Sequence, residues 1–283
     1  VLLKILKGEL FNIADDVFDL LVDQYALTLS DLHQQDAKFI LLLESLYDYA
    51  STYILSSSKQ WKTRVLKIAE LLSVYDCAPA YNLQGLVREE GITGERDLPG
   101  AKAYYKKAID LGDKEGLYRL GYLYLGESGA TPNPVAAANY FRKAADKKHI
   151  EAINGLIFLL RTESAPMEDM GELTRLLLYV LEEKIISSDN AFFLAMLYFD
   201  GTDNLPQDEQ KAISILEVIG EDHLDARVYL AYHYIETGKR IDKATEILEV
   251  AVTANHPMGL YIYGDFLLDR NKKISLKKVK CVL

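Results

Sequence analysis

Gly116-Leu117-Tyr118-Arg119-Leu120-Gly121-Tyr122-Leu123-Tyr124 decides the fold of this chain. Its small residues, Gly116 and Gly121, alternate at helical spacing with the large Leu120 and Tyr124. The same phrase returns as Asn190-Ala191-Phe192-Phe193-Leu194-Ala195-Met196-Leu197-Tyr198 and as Ala226-Arg227-Val228-Tyr229-Leu230-Ala231-Tyr232-His233-Tyr234. Further copies open at Ala80, Ala152 and Gly259, so successive opening residues stand 36, 36, 38, 36 and 33 apart. A near-constant period in the thirties marks stacked supersecondary units, none of which can bury its apolar face alone.

Each period reads as two antiparallel helices. In the copy opening at Gly116, the first helix is expected over about residues 114–125 and the second over about 134–147. Gly126, Gly129, Pro132 and Pro134 make the turn between them. The second helices carry a narrow apolar stripe: Ala137, Tyr140, Phe141 and Ala144 here, and Ala101, Tyr104, Tyr105 and Ala108 one unit earlier. Gly121, Ala195, Ala231 and Gly264 are expected to omit bulk so that a neighbouring helix approaches closely. Asp97, Asn133 and Asp208 stand where N-caps belong, and Asp242 is expected to cap its own helix across a shorter turn.

Leu120-Gly121-Tyr122-Leu123-Tyr124 with residues 137–145, and the stretch from Gly201 through Pro206, Asp208 and Lys211 to Ala212, resemble Sel-one-like repeats. That family is related to the tetratricopeptide repeats. The resemblance runs from about Pro79 to Arg270 and is weakest in the unit opening at Ala152. There Leu173, Leu176, Leu177 and Leu178 replace the small residues. It implies an all-α fold, a right-handed α-solenoid of stacked antiparallel helix pairs that holds protein complexes together. Residues 1–75 are helical by pattern but match poorly. Ser45 through Tyr53 copies the first-helix phrase, and Trp61 through Leu72 fits a second helix. The expected organisation is a helical N-terminal cap with one divergent repeat over 1–75, followed by a repeat solenoid over 76–283.

Composition narrows the function. A net charge of −10 argues against a surface built for nucleic-acid phosphates. The local cluster Lys272, Lys273, Lys277, Lys278 and Lys280 reads as a solvated end. Cys77 and Cys281 form no CxxC pair, so neither a disulfide scaffold nor a zinc site is indicated. No run of about eighteen apolar residues suggests a membrane span. The opening Val1-Leu2-Leu3-Lys4-Ile5-Leu6-Lys7 does not resemble a leader. A soluble protein of the bacterial periplasm or cytoplasm is expected, although eukaryotic relatives serve in the endoplasmic reticulum.

No HExxH, phosphate-binding glycine loop, GxSxG or catalytic carboxylate pair occurs among these residues. No catalytic residue, metal ligand or cofactor is therefore expected. His223, beside Glu221, Asp222 and Asp225, is the nearest approach to a constellation and reads as a solvated loop. Cysteine-rich relatives are reported as hydrolases of cell-wall or β-lactam substrates, but they carry a cysteine pair in each repeat, which this chain lacks.

The leading expectation is a scaffold or adaptor that grips a protein partner, as a helix or extended peptide of basic or amphipathic character. In tetratricopeptide-like solenoids the first helices line the concave surface. Counting each opening residue as one, position three reads Tyr47, Asn82, Tyr118, Asn154, Phe192, Val228 and Tyr261. Position seven reads Ser51, Leu86, Tyr122, Phe158, Met196, Tyr232 and Asp265. Position zero supplies the acids Glu44, Glu115, Glu151, Asp189 and Asp225. Rigid aromatic side chains are favoured binding anchors, and acids at the margin steer a basic segment. The contact candidates are Tyr118, Tyr122, Phe158, Phe192, Met196 and Tyr232. Against this stands a structural alternative, in which position three packs between neighbouring first helices and the acids favour helix N-termini. Self-assembly is a further alternative, through a homodimer at the incomplete terminal repeat.

Overall fold

A computed structural model describes Asp23, residues 37–53, 59–126, 131–162, 164, 170–220 and 222–280. The helices expected ahead of Ser45 fall mostly outside these residues. The chain divides into two compact units, Val1–Pro166 and Met167–Leu283. The division falls within the repeat whose small residues were replaced by leucine.

The first unit contains α1 (Ala37–Tyr53), α2 (Lys59–Ser73), α3 (Ala78–Glu89), α4 (Leu98–Asp110), α5 (Lys114–Leu125), α6 (Pro134–Ala145) and α7 (Ile150–Arg161). Each helix packs on its sequence neighbour, and α3 also touches α1 and α5, while α5 touches α7. Like helices of successive pairs thus stack side by side. The second unit contains α8 (Met170–Glu182), α9 (Ser188–Asp200), α10 (Glu209–Ile219), α11 (Leu224–Thr237), α12 (Ile241–Thr253) and α13 (Pro257–Lys280). It repeats the scheme, with α11 against both α12 and α13. Each unit is a stretch of all-α solenoid. Among the described residues there is no β-strand, only a single bridge between Thr202 and Leu205 in the α9–α10 turn.

The small-to-large alternation works by insertion. Phe141 of α6 is buried, and a Cβ added to Gly121 of α5 would stand 2.7 Å from its ring. One added to Gly155 of α7 would stand 2.8 Å from the same ring. Phe141 is therefore clasped between two glycines on successive first helices. The pair before it does likewise, with Gly85 of α3 facing Tyr105 of α4 at 2.5 Å from such a Cβ. Glycine costs roughly 1 kcal/mol against alanine inside a helix, and burying a whole aromatic ring outweighs that. Gly264 departs from this expectation, since nothing lies within 4 Å of a Cβ built there. Among the described residues no second helix covers that face of α13, and Tyr261 and Leu268 on it are exposed.

The turns follow local chemistry. Asp97, Asn133 and Asp208 accept from the backbone N–H three residues on, at 2.9, 3.0 and 3.0 Å, as N-caps should. Asp242 does not. Helix α12 begins after Arg240, which sits in the left-handed region at φ 51 and makes no side-chain cap. The short connection through Gly238, itself left-handed, leaves Asp242 inside the first turn, where its charge faces the helix dipole instead. At the N-terminal end, Leu43 and Leu46 of α1, Ile68 and Leu72 of α2, and Leu83 and Val87 of α3 share one buried cluster. The cluster of terminal lysines has a helical backbone through Lys280, and the side chains beyond residue 268 lie outside the described set.

Candidate functional site

The first helices carry two kinds of side chain: those that tie one repeat to the next and those left over. The ties begin at the N-caps. Three residues before each opening position stand Cys77, Asp113, His149, Ser187, His223 and His256. The imidazoles of His223 and His256 accept, through Nδ1, the backbone N–H of Ala226 and Gly259 at 3.2 and 3.1 Å. A ring that accepts at Nδ1 carries its proton on Nε2. That nitrogen points at the position-zero acid of the preceding repeat, Asp189 Oδ1 at 3.1 Å and Asp225 Oδ1 at 2.8 Å. His149 makes the same pair of contacts, to Ala152 N at 3.3 Å and to Glu115 Oε2 at 2.8 Å. A second acid, Glu151, stands 3.3 Å from its Nδ1. His223 is therefore a capped, nearly enclosed junction residue and not the solvated loop its neighbours suggested. Cutting it to alanine is expected to cost about 1 kcal/mol, as for other N-caps, whereas His223→Asn restores the cap and should be nearly neutral. Urea unfolding of the two variants separates the cap from the pairing with Asp189, whose own side chain is exposed and whose pairing is worth little.

Position three completes the junction. Tyr118 stacks on the His149 ring at 4.8 Å and on Phe141 at 6.0 Å. Phe192 stacks on the His223 ring at 5.0 Å, with Tyr229 edge-on at 5.5 Å. Where the cap is Asp113, position three is Asn82, whose Nδ2 donates to the Asp113 carboxylate at 2.7 Å. Both aromatics are half-buried and engaged with the following repeat.

Glu115 sits at the centre of the densest network. It accepts from the Tyr47 hydroxyl at 2.7 Å, Arg119 Nε at 2.6 Å and His149 Nε2 at 2.8 Å. Burial pushes its carboxyl up, but the His149 hydrogen bond, the Arg119 charge and the Tyr47 hydroxyl outweigh that and hold it at about 2. Nearby, the Tyr105 hydroxyl donates to the buried Glu89 at 2.6 Å; burial and then the Glu89 charge push that phenol well up.

The leftover residues lie at position seven. Phe158 is 61% exposed and Tyr232 44% exposed. Tyr122 and Met196 are half-buried, with the Tyr122 ring 6.2 Å from Tyr118 on the same helix face. Leu86 is different. It lies in the core shared with α1 and α2, so the apolar row at position seven begins one repeat later than its phase suggests. In the first unit the row is Tyr122 and Phe158, on the adjoining α5 and α7; in the second it includes Met196 and Tyr232. Among the described residues no cluster of three or more histidine, cysteine or carboxylate side chains is placed to hold a metal ion. No helix described is long and apolar enough to cross a membrane. Cys77 stands at the N-cap position of α3 without a side-chain cap hydrogen bond, and burial pushes its thiol up, away from the reactive thiolate.

Comparison with known proteins agrees with this construction. The Sel1 repeat matches residues 78–113, 114–149 and 191–217. No curated protein matches the chain. Among solved structures, a Sel1 repeat protein from Oxalobacter formigenes aligns with a TM-score of 0.54 and 20% identity, over 74% of this chain and 84% of that one. A protective antigen of uropathogenic Escherichia coli strains displaying an SLR fold gives 0.46 at 18% identity, over 90% and 67%. A sel1 repeat protein from Klebsiella pneumoniae subsp. pneumoniae gives 0.37 at 18%, over 72% and 94%. The matched spans begin and end at the helix pairs α3–α4 and α5–α6 and within α9–α10, so these three segments are similar to the Sel1 repeat.

Proposed function

We propose that the protein is a non-catalytic interaction scaffold or adaptor, and that it grips a partner polypeptide along the surface its first helices line. Sel1-repeat solenoids generally serve as protein-interaction scaffolds and are typically non-catalytic. The observation that carries the reading for this chain is position seven, where Phe158 and Tyr232 expose most or nearly half of a large apolar side chain on rigid helices. A side chain needed only for packing has no reason to stand in water, whereas exposed aromatics on a fixed backbone are efficient contact anchors. Tyr122 extends such a row beside Phe158 in the first unit, and Met196 does so beside Tyr232 in the second. Tyr118 and Phe192 sit behind it, held by the histidine junctions, and set its spacing. On the same reading, residues 1–75 cap the repeat stretch that follows to 283.

The partner is a helix or an extended segment laid along the row of either unit, since both present apolar residues at regular intervals. Selection of a displayed library of random peptides on the wild type and on Phe158→Ala/Tyr232→Ala tests the reading. Peptides enriched on the wild type should lose binding at least tenfold on the double variant, while thermal unfolding stays within about 0.5 kcal/mol, as for exposed positions. Equal enrichment on both proteins overturns it, and so does a large loss of stability, which would place the rings in the core.

A further inference from the structure

Helix α13 exposes a face that every earlier repeat covers. In α5, Leu117 is buried and Gly121 receives the Phe141 ring of α6. The residues at the same phases of α13 are Leu260, 44% exposed, and Gly264, which has nothing within 4 Å of a Cβ built on it. Tyr261, Leu267 and Leu268 are exposed beside them. At about 100° per residue these five positions fall on one face of the helix. The cover does not come from the second helix of the same repeat. Helices α4, α6, α10 and α12 begin 15 to 19 residues after the opening residue of their repeats. Counted from Gly259, a second helix would have begun by residue 278, yet α13 is still running at Lys280.

The open face is the same read in either direction. Leu260 and Leu268 stand four residues to either side of Gly264, and Tyr261 and Leu267 stand three to either side. A patch with that symmetry is complementary to itself, as a contact about a two-fold axis requires. Glycine at its centre lets two helices approach closely. The charges obey the same symmetry. Arg270, Lys272, Lys273, Lys277, Lys278 and Lys280 follow the face along the chain. Exposed acids stand at its other end: Asp225 meets His256 Nε2 at 2.8 Å just ahead of α13, and Glu249 accepts from the Tyr263 hydroxyl at 3.3 Å. Lys272 and His256 are eight residues to either side of Gly264. Reversing one helix about Gly264 therefore brings the cations of each copy to the acids of the other.

We propose that this face binds a second copy of the chain, α13 against α13 in antiparallel, with the two-fold axis passing beside Gly264. Each copy supplies the other with the antiparallel helix that its own repeat lacks. The exposed Tyr261 ring of one copy takes the place beside the other's Gly264 that Phe141 takes beside Gly121. A foreign helix could cover the apolar residues, but it would have no cause to match a face symmetric about its own glycine. The apolar stretch spans only about 12 Å at 1.5 Å per residue, so the contact is small and its charged ends make it weaken with salt. The proposal is independent of the aromatic rows at position seven.

Sedimentation equilibrium of the full chain tests it. The 32.0 kDa chain should approach twice that mass at roughly 100 μM, where mass action favours the pair, and fall back on dilution or in high salt. Gly264→Glu has room for its side chain in the single chain and replaces a glycine inside a helix. It should therefore melt no lower than the wild type when dilute, while dimerising at least tenfold more weakly. Cross-linking fixes the direction of the helices. With Cys281→Ser as background, Gly264→Cys should oxidise to a covalent dimer, because position 264 meets itself at the axis. Leu268→Cys should not, because position 268 meets 260. A wild type that stays monomeric, a series of higher oligomers, an undiminished dimer in Gly264→Glu, or equal cross-linking at 264 and 268 each overturns the proposal.

Discussion

Phe141→Ala is expected to remove about 3–5 kcal/mol of stability, the range for emptying a fully buried aromatic site. The reason lies on both sides of the ring. Gly121 and Gly155 press against it from successive first helices, and Tyr118 stacks on it at 6.0 Å. Glycines have no side chain that can swing into the space, so the cavity cannot collapse without moving backbone. Phe141→Leu, which keeps most of the volume, should cost far less, about 1–1.5 kcal/mol. Hydrogen exchange should place the damage in α5, α6 and α7, because each repeat leans only on its neighbours. A loss below about 1 kcal/mol in the alanine variant would mean that the clasp closes on itself and is not rigid.

Glu115→Ala is expected to cost about 3 kcal/mol, since it strands a half-buried Arg119, the Tyr47 hydroxyl and the outer nitrogen of His149. The acid limb of the stability profile isolates the charge. With the folded carboxyl held at about 2, below the ordinary unfolded value, its contribution is complete above roughly pH 4.3 and is lost as pH falls through about 2. That span corresponds to about 3 kcal/mol. Glu115→Gln is already without the charge, so the wild-type advantage over it should shrink steadily between about pH 5 and pH 2. A difference that stays constant over that range would show that the carboxylate does not depend on its ionisation for these contacts.

The helix pairs were legible because their cause is local and repeated. Gly121 and Phe141 sit at fixed phases, and the insertion of one beside the other needs only that phase. Asp97, Asn133 and Asp208 were legible for the same reason, each capping its own helix. Asp242 was not, since the cap position four residues before Ala244 keeps its phase but is held by a left-handed Arg240, which leaves Asp242 inside the first turn. Leu86 has the phase of a groove residue, but α1 lies over it, and nothing near Leu86 in the chain announces that cover.

The histidines were the larger omission. Composition places His223 among charged loop residues, and histidine is an uncommon N-cap. The available signal was spacing: each junction histidine follows its acid by 34, 34 or 31 residues, close to the repeat itself. Of the six contact candidates, the same geometry divides Tyr118 and Phe192, which stack on those imidazoles, from Phe158 and Tyr232, which face water. Phase alone could not separate the two groups, because both lie on the first helices.

His223-Leu224-Asp225 places a cap that grips the previous repeat two residues from an acid that receives the next. One short segment is plug and socket together. A tandem duplication that copied such a repeat whole would arrive with both ends of its connector in register, needing no matching change in its neighbours. Lengthening an array of this kind is therefore mechanically easy, and exchange of whole repeats should be tolerated where exchange of half-repeats is not.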